Sequence, residues 1–140
     1  MSQLIIPIDV EDALRVDIDS VLKKIGKKVK VSAPPLSPDL GKNLPYCMIT
    51  KTSGFDTDMV LNSFAVSFDV YDRTWAKAID TASTIYAIVD ALPYIENLGT
   101  DWKYTTGNSS PNTFPDPDNP LIPRVRFSMT VMARSIIRDI

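Results

Sequence analysis

The clearest pattern in the chain is a period-2 run that turns into a period-3.6 run. Phe64, Val66, Phe68 and Val70 are apolar, and Ala65, Ser67, Asp69 and Tyr71 between them are small, polar or amphipathic, the signature of a strand with one buried face. After Asp72, Arg73 and Thr74 the apolar positions become Trp75, Ala78, Ile79, Ala82, Ile85, Tyr86, Val89 and Leu92, spaced three and four apart as on one face of a helix. So short a turn predicts that this helix covers the greasy face of the strand before it.

A second helix is expected from Asp9 to Ile25, with Val10, Ala13, Leu14, Ile18, Val21, Leu22 and Ile25 on one face. Asp9 is placed as its N-cap, Glu11 and Asp12 put negative charge in its first turn, and Gly26 ends it. Val29 to Val31 suits a short strand. Ala33 to Pro45 (APPLSPDLGKNLP) reads as an extended loop, because Pro34, Pro35 and Pro38 forbid helix and remove ladder donors. Tyr46 to Thr52 reads as a strand, and Ser53 to Asp58 (SGFDTD) as the turn of an antiparallel hairpin with the strand from Met59.

Beyond Pro93, Trp102 to Thr106 suits a short strand with Trp102 and Tyr104 on one side. Asn108 to Pro123, with Pro111, Pro115, Pro117, Pro120 and Pro123, reads as a long loop of the kind that is functional or mobile. In Arg124 to Arg134 the apolar Val125, Phe127, Met129, Val131 and Ala133 alternate with Arg126, Ser128, Thr130, Met132 and Arg134, a strand with one core face and one face for solvent or a partner. Ile136, Ile137 and Ile140 are too apolar for a frayed end and are expected to dock. The whole predicts a single α+β domain over residues 1–140. One antiparallel or mixed sheet of about four strands carries two helices on one face, in the order helix, hairpin, helix, two strands.

Composition adds mainly exclusions. At 140 residues, 44 % hydrophobic and 23 % charged, the chain suffices for one core without disulfides or metal. No apolar run approaches the roughly 20 residues of a membrane span, and the start, MSQLIIPIDVED, predicts no secretory signal. A net charge of −2 gives no global attraction to nucleic acid. There is no histidine, which removes histidine-dependent triads and His-ligated zinc. Gly26, Gly41, Gly54, Gly99 and Gly107 are scattered singly, so neither a phosphate loop nor a dinucleotide fingerprint can be drawn.

Candidate chemistry is sparse. Cys47, the one cysteine, sits inside a strand with no basic neighbour and reads as a buried, inert thiol. The carboxylate pairs Asp56 with Asp58, Asp69 with Asp72, and Asp116 with Asp118 fall at turns or strand ends, where Asp favours local backbone hydrogen bonds. The string Asp116, Asp118, Asn119 lacks the ligand and glycine spacing of a calcium loop. No catalytic residue, cofactor or metal is therefore expected, and the chain is not expected to be an enzyme. Lys23, Lys24, Lys27, Lys28 and Lys30 gather where the first helix ends. They read either as a macrodipole complement running into a solvated turn, or as a contact for phosphate or an acidic partner.

Four stretches carry a family likeness: Asp9 to Leu14 (DVEDAL), Leu44 to Thr50 (LPYCMIT), Phe64 to Leu92 (FAVSFDVYDRTWAKAIDTASTIYAIVDAL) and Asp118 to Arg134 (DNPLIPRVRFSMTVMAR). In order and pattern the chain resembles the tail-terminator (tail-completion, minor tail) proteins of long-tailed bacteriophages. The resemblance implies a structural virion protein at the head-proximal end of the tail, made in the host cytoplasm. It would form a homo-oligomeric ring, typically of six copies, that stops polymerisation of the tail tube protein and meets a head connector protein. DNA would pass through the lumen without specific binding, and no membrane is involved. A ring needs two different patches of one subunit to meet. The candidates are the expected hairpin tip (Gly54, Phe55, Asp56 and Asp58), the outer face of the last strand (Arg126, Thr130 and Arg134) and the loop Asn108 to Pro123. The alternatives are another head-tail connector component, a stopper or adaptor, and a small nucleic-acid-binding module using Lys23 to Lys30 with Trp102 and Tyr104.

Overall fold

The computed structural model describes residues 2–56 and 60–140, with the side chains of Phe55 and Asp56 outside the description. Along the chain come β1 (Gln3–Ile6), α1 (Val10–Ile25), β2 (Lys30–Ser32), β3 (Tyr46–Asp56), β4 (Leu61–Tyr71), α2 (Trp75–Ala91), β5 (Trp102–Thr113), β6 (Arg124–Arg134) and β7 (Ile136–Asp139). Five strands form the main sheet in the order β2-β3-β4-β6-β5, and β1 pairs with β7 in a separate two-stranded ribbon. Among the described residues β2 and β3 run parallel and the other strand pairs antiparallel. The fold is thus α+β, with one more strand in the main sheet than expected and a ribbon besides.

Both helices lie on one face of the main sheet. The alternating set Phe64, Val66, Phe68 and Val70 meets Val125, Phe127, Met129 and Val131 of β6, and Leu14, Ile18, Ala82, Ile85 and Val89 of the helices close over them. The Phe68 and Phe127 rings stack at 4.6 Å, and Tyr86 of α2 sits edge-on to Phe127 at 5.5 Å. Cys47 is buried in this core and free. Burial pushes its thiol pKa up, and the nearby Asp69 charge adds to the effect.

The helix ends follow local rules. Asp9 accepts a hydrogen bond from the Asp12 amide at 3.3 Å, and Thr74 accepts one from Lys77 at 3.1 Å to start α2. Gly26, at φ 73°, takes the left-handed conformation that lets its own amide and that of Lys27 return to the carbonyls of Lys23 and Leu22.

Two sequence expectations are corrected here. Ser53 to Asp56 is not a turn but the end of β3, whose register slips between Lys51 and Ser53 and then continues as Gly54↔Phe64, Phe55↔Ser63 and Asp56↔Asn62. Asn108 to Thr113 is not loop but the second half of β5, in register with β6 through irregularities between Gly107 and Ser109 and between Ser109 and Asn112. β5 is an edge strand, so Pro111 can enter it without leaving an interior ladder bond unmade.

Candidate assembly surfaces

Among the described residues neither α-helix lies on the second face of the main sheet, and one turn of 3-10 helix, Leu40–Lys42, packs on its end. Near its middle the face shows Thr50, Ala65, Ser67, Arg126, Ser128 and Thr130, all half-buried. At one end the face is roofed by Pro-rich chain: Tyr46 and Tyr71, edge to face at 6.4 Å, pack with Leu40, Leu36, Leu44 and Ile122 in a second apolar cluster. The loop 33–45 is therefore part of the packing, through Leu36, Leu40 and Leu44.

Polar groups pin the other roof segment. Tyr71 donates to Asp116 at 2.8 Å, Asn119 donates to the same carboxylate at 3.1 Å, and the Asp118 amide closes a turn on it at 3.0 Å. Arg124 reaches the carbonyls of Phe114 at 2.7 Å and Pro115 at 3.2 Å. Burial of Asp116 works to raise its pKa, but the hydrogen bonds from Asn119, Tyr71 and the Asp118 amide, helped by the Arg124 charge, hold it below the usual carboxylate range. Burial and the Asp116 bond push Tyr71 up to about 12. Asp116 and Asp118 do form a turn, as the sequence suggested, and the turn is a buried anchor as well.

Arg126 and Thr130 lie where the alternation put them, on the open face. Arg126 forks onto Asp69, at 2.6 and 3.2 Å, beneath the Phe114 ring at 4.1 Å from its centroid. The Asp69 hydrogen bonds raise the Arg126 pKa. Thr130 is tied across the sheet to Asn108 at 2.9 Å, and Ser128 to Ser109 at 3.1 Å. These ties hold the polar side chains flat against the sheet instead of converging them on a concave site. Arg134 ends β6 and is exposed.

Gly54 is in the strand, and a Cβ there would come within 3.0 Å of the Phe64 ring, so that ring needs the space. Asp58 and the side chains of Phe55 and Asp56 lie outside the described residues. Of the expected patches, the outer face of β6 at Arg126 and Thr130 and the start of the expected loop at Asn108 and Ser109 share one sheet face, with β5 at its edge.

The lysine cluster is partly neutralised. Lys23 pairs with Asp19 and Lys27 with Asp80, each at 3.0 Å, whereas Lys24, Lys28 and Lys30 are exposed. Lys23, Lys27, Lys28 and Lys30 border a shallow depression of about 410 Å³ that also touches Pro45. The expected aromatic partners are not available together. A register break separates Trp102 from Tyr104; Trp102 is buried, with its indole donating to Asp17 at 2.7 Å, while Tyr104 stays exposed.

Asp17 is the anchor that reading by apolar positions passes over. It is 1 % exposed and also accepts from the amides of Gly99 at 2.9 Å and Thr100 at 3.2 Å. Its signal was a carboxylate three residues from Leu14 and four from Val21, on the apolar stripe of α1. Among the described residues no group of three or more His, Cys, Asp or Glu is placed to hold a metal ion, and no helix is long and apolar enough to cross a membrane. Comparison of the sequence with models of known families gives no match, and comparison with curated proteins gives none either.

Proposed function

We propose that the protein is a structural component of a long-tailed phage virion, a tail terminator that closes into a ring of about six copies on the end of the tail tube. The observation that carries this reading is the polar, internally tied middle of the sheet face of β3, β4 and β6, which carries no α-helix among the described residues and lies opposite the face that α1 and α2 cover. Such a face suits contact with another protein surface better than capture of a small molecule, which needs convergent polar groups in a concavity. The order of elements that supports the family resemblance is helix, hairpin, helix and two strands, now with short additions at β1, β2 and β7. In this role the outer face of β6, with Thr130 and Arg134, and the β5 edge meet either the neighbouring copy or the tail tube protein. A connector protein of the stopper or adaptor type would use the same face; the two roles differ in position in the particle.

Multi-angle light scattering over a wide concentration range tests the reading. A mass that climbs with concentration to a limiting multiple of the protomer supports it. A strictly monomeric mass at the highest attainable concentration counts against it.

A further inference from the structure

Macrodipole compensation accounts for part of the lysine cluster and leaves part over. Lys23 and Lys24 stand in the last turn of α1, where cations complement the carbonyl end, and that effect fades beyond the turn. The end itself is closed by the amides of Gly26 and Lys27, which return to the carbonyls of Lys23 and Leu22. Lys28 and Lys30 lie past this closure. Val29 between them is buried in the core, so both lysines turn outward, and both are exposed. Asp19 and Asp80 hold Lys23 and Lys27, but among the described residues Lys24, Lys28 and Lys30 have no carboxylate within ion-pair distance.

The charge is concentrated at this corner. Five of the fifteen Lys and Arg fall in Lys23 to Lys30, and the other ten face all seventeen Asp and Glu. A short acidic ligand feels chiefly the corner, since screening limits charge to about 10 Å at 0.1 M salt. A long polyanion also meets the net acidic remainder, which repels it. The shallow hollow that Lys28 and Lys30 border has Leu44 and Pro45 on another side, and among the described residues no aromatic ring lines it. Unpaired bases would therefore find nothing there to stack on. β2 is an edge strand, and the Lys30 amide donates to the Pro45 carbonyl on the β3 side at 3.0 Å. Val31, the next residue, accordingly turns its N–H and C=O away from β3.

We propose that this corner binds a short, extended, acidic segment of a partner protein. Its carboxylates meet Lys28 and Lys30, with Lys24 near by, an apolar side chain rests on Leu44 and Pro45, and its backbone bonds to Val31 at the β2 edge, the way a peptide adds to an open sheet. Three features favour a peptide over nucleic acid as the occupant. The unpaired cations are few and local, the rest of the hollow is aliphatic, and the strand edge offers main-chain bonds that a sugar-phosphate chain cannot return in register. The contact goes beyond the ring reading and uses none of the residues placed at the ring contact, so either can fail without the other.

Fluorescence anisotropy tests the contact, with a dye-labelled peptide alternating Glu and Val titrated by the intact chain at low salt. Binding should saturate and weaken as salt is added. Lys28→Gln combined with Lys30→Gln should weaken it on the order of tenfold, since two exposed charge contacts are lost. The same two positions changed to Arg should bind like the parent. Lys103→Gln with Arg138→Gln, which removes equal charge elsewhere on the surface, should change affinity by less than about twofold. In spectra of the ¹⁵N-labelled chain the amides of Val31 and Leu44 should shift as the peptide is added. No saturable binding, equal binding of a peptide with Gln in place of Glu, a Lys28 and Lys30 effect no larger than the control's, or shifts confined to other regions would each overturn the proposal. So would tighter binding of single-stranded or duplex DNA through the same lysines, which would make nucleic acid the occupant.

Discussion

Replacing Asp17 by alanine removes the acceptor for three donors at once. The Trp102 indole N–H is buried, and the Gly99 and Thr100 amides are partly so. A buried donor left without a partner costs about 1–3 kcal/mol, and bonds to a charged acceptor lie at the upper end. The indole should bear most of that, while the two amides, within reach of water, add about 1 kcal/mol each. The expected loss is about 3–5 kcal/mol, a large share of the 5–15 kcal/mol that holds a domain of this size together. Asp17→Asn keeps one acceptor oxygen but turns an N–H₂ group toward the remaining donors, so it should recover only part of the loss. Urea titration followed by fluorescence is the assay, since burial of Trp102 makes its emission sensitive to unfolding. With a slope of about 2 kcal/mol/M, the alanine midpoint should fall by about 1.5–2.5 M. Asp19→Ala, which breaks only the partly exposed i,i+4 pair with Lys23, serves as control and should change stability by less than about 0.5 kcal/mol. If Asp17→Ala stays within about 1 kcal/mol of the parent, the reasoning that this carboxylate fastens the approach to β5 onto α1 is refuted.

Other contacts give four further expected outcomes. A Cβ at Gly107 would lie 1.9 Å from the Tyr86 hydroxyl, and Tyr86 cannot swing away freely because its ring packs on Phe127. Gly107→Ala should therefore cost about 1–3 kcal/mol, and thermal melts should show much of that relieved when Tyr86→Ala is added. The Asp116 carboxyl has a lower pKa folded than unfolded, so its contribution is present above about pH 4 and lost as pH falls through the folded value. Asp116→Asn should lower stability at neutral pH and flatten the acid side of the pH profile; an unchanged acid limb contradicts the assignment. Tyr71, raised to about 12 from an ordinary value near 10, stabilises the fold below pH 10 and loses that effect as pH rises toward 12, a component that Tyr71→Phe should abolish. The lysine cluster gives the rival reading its test. DNA affinity that falls linearly with log salt and disappears on joint replacement of Lys23, Lys24, Lys27 and Lys28 by Gln would favour a nucleic-acid module, whereas the ring account expects no such binding.

What was legible in the sequence was what depends on neighbours in sequence. The caps of α1, the alternation in β4 and β6 and most of the stripe of α2 each rest on residues within a few positions of one another, although Trp75 and Ile79, expected on that stripe, are exposed. The paired strands share an apolar face that the helices had to cover, so the two-layer architecture followed. Long-range pairing was not legible. Gln3 to Ile6 is too short to read alone as a strand, and its partner Ile136–Asp139 lies at the other end of the chain. Of the isoleucines expected to dock, Ile136 and Ile137 are in this ribbon and Ile140 follows it, and all three remain exposed. β5 was cut short because Gly107 and Pro111 are breakers in an isolated strand, and the register irregularities that absorb them exist only against β6. Trp102 and Tyr104 share a side by simple alternation, but the irregularity between them sends Trp102 to Asp17. The candidate surface was half legible. Arg126 and Thr130 fall on the open face by parity alone, while their tethering by Asp69 and Asn108 depends on strand order.

The central claim is that copies of this chain close on themselves through unlike surfaces. Negative-stain electron microscopy of the purified protein at high concentration examines that directly. The account predicts rings of about six subunits around a central hole; uniform single particles of protomer size, or open filaments with no closed form, would contradict it.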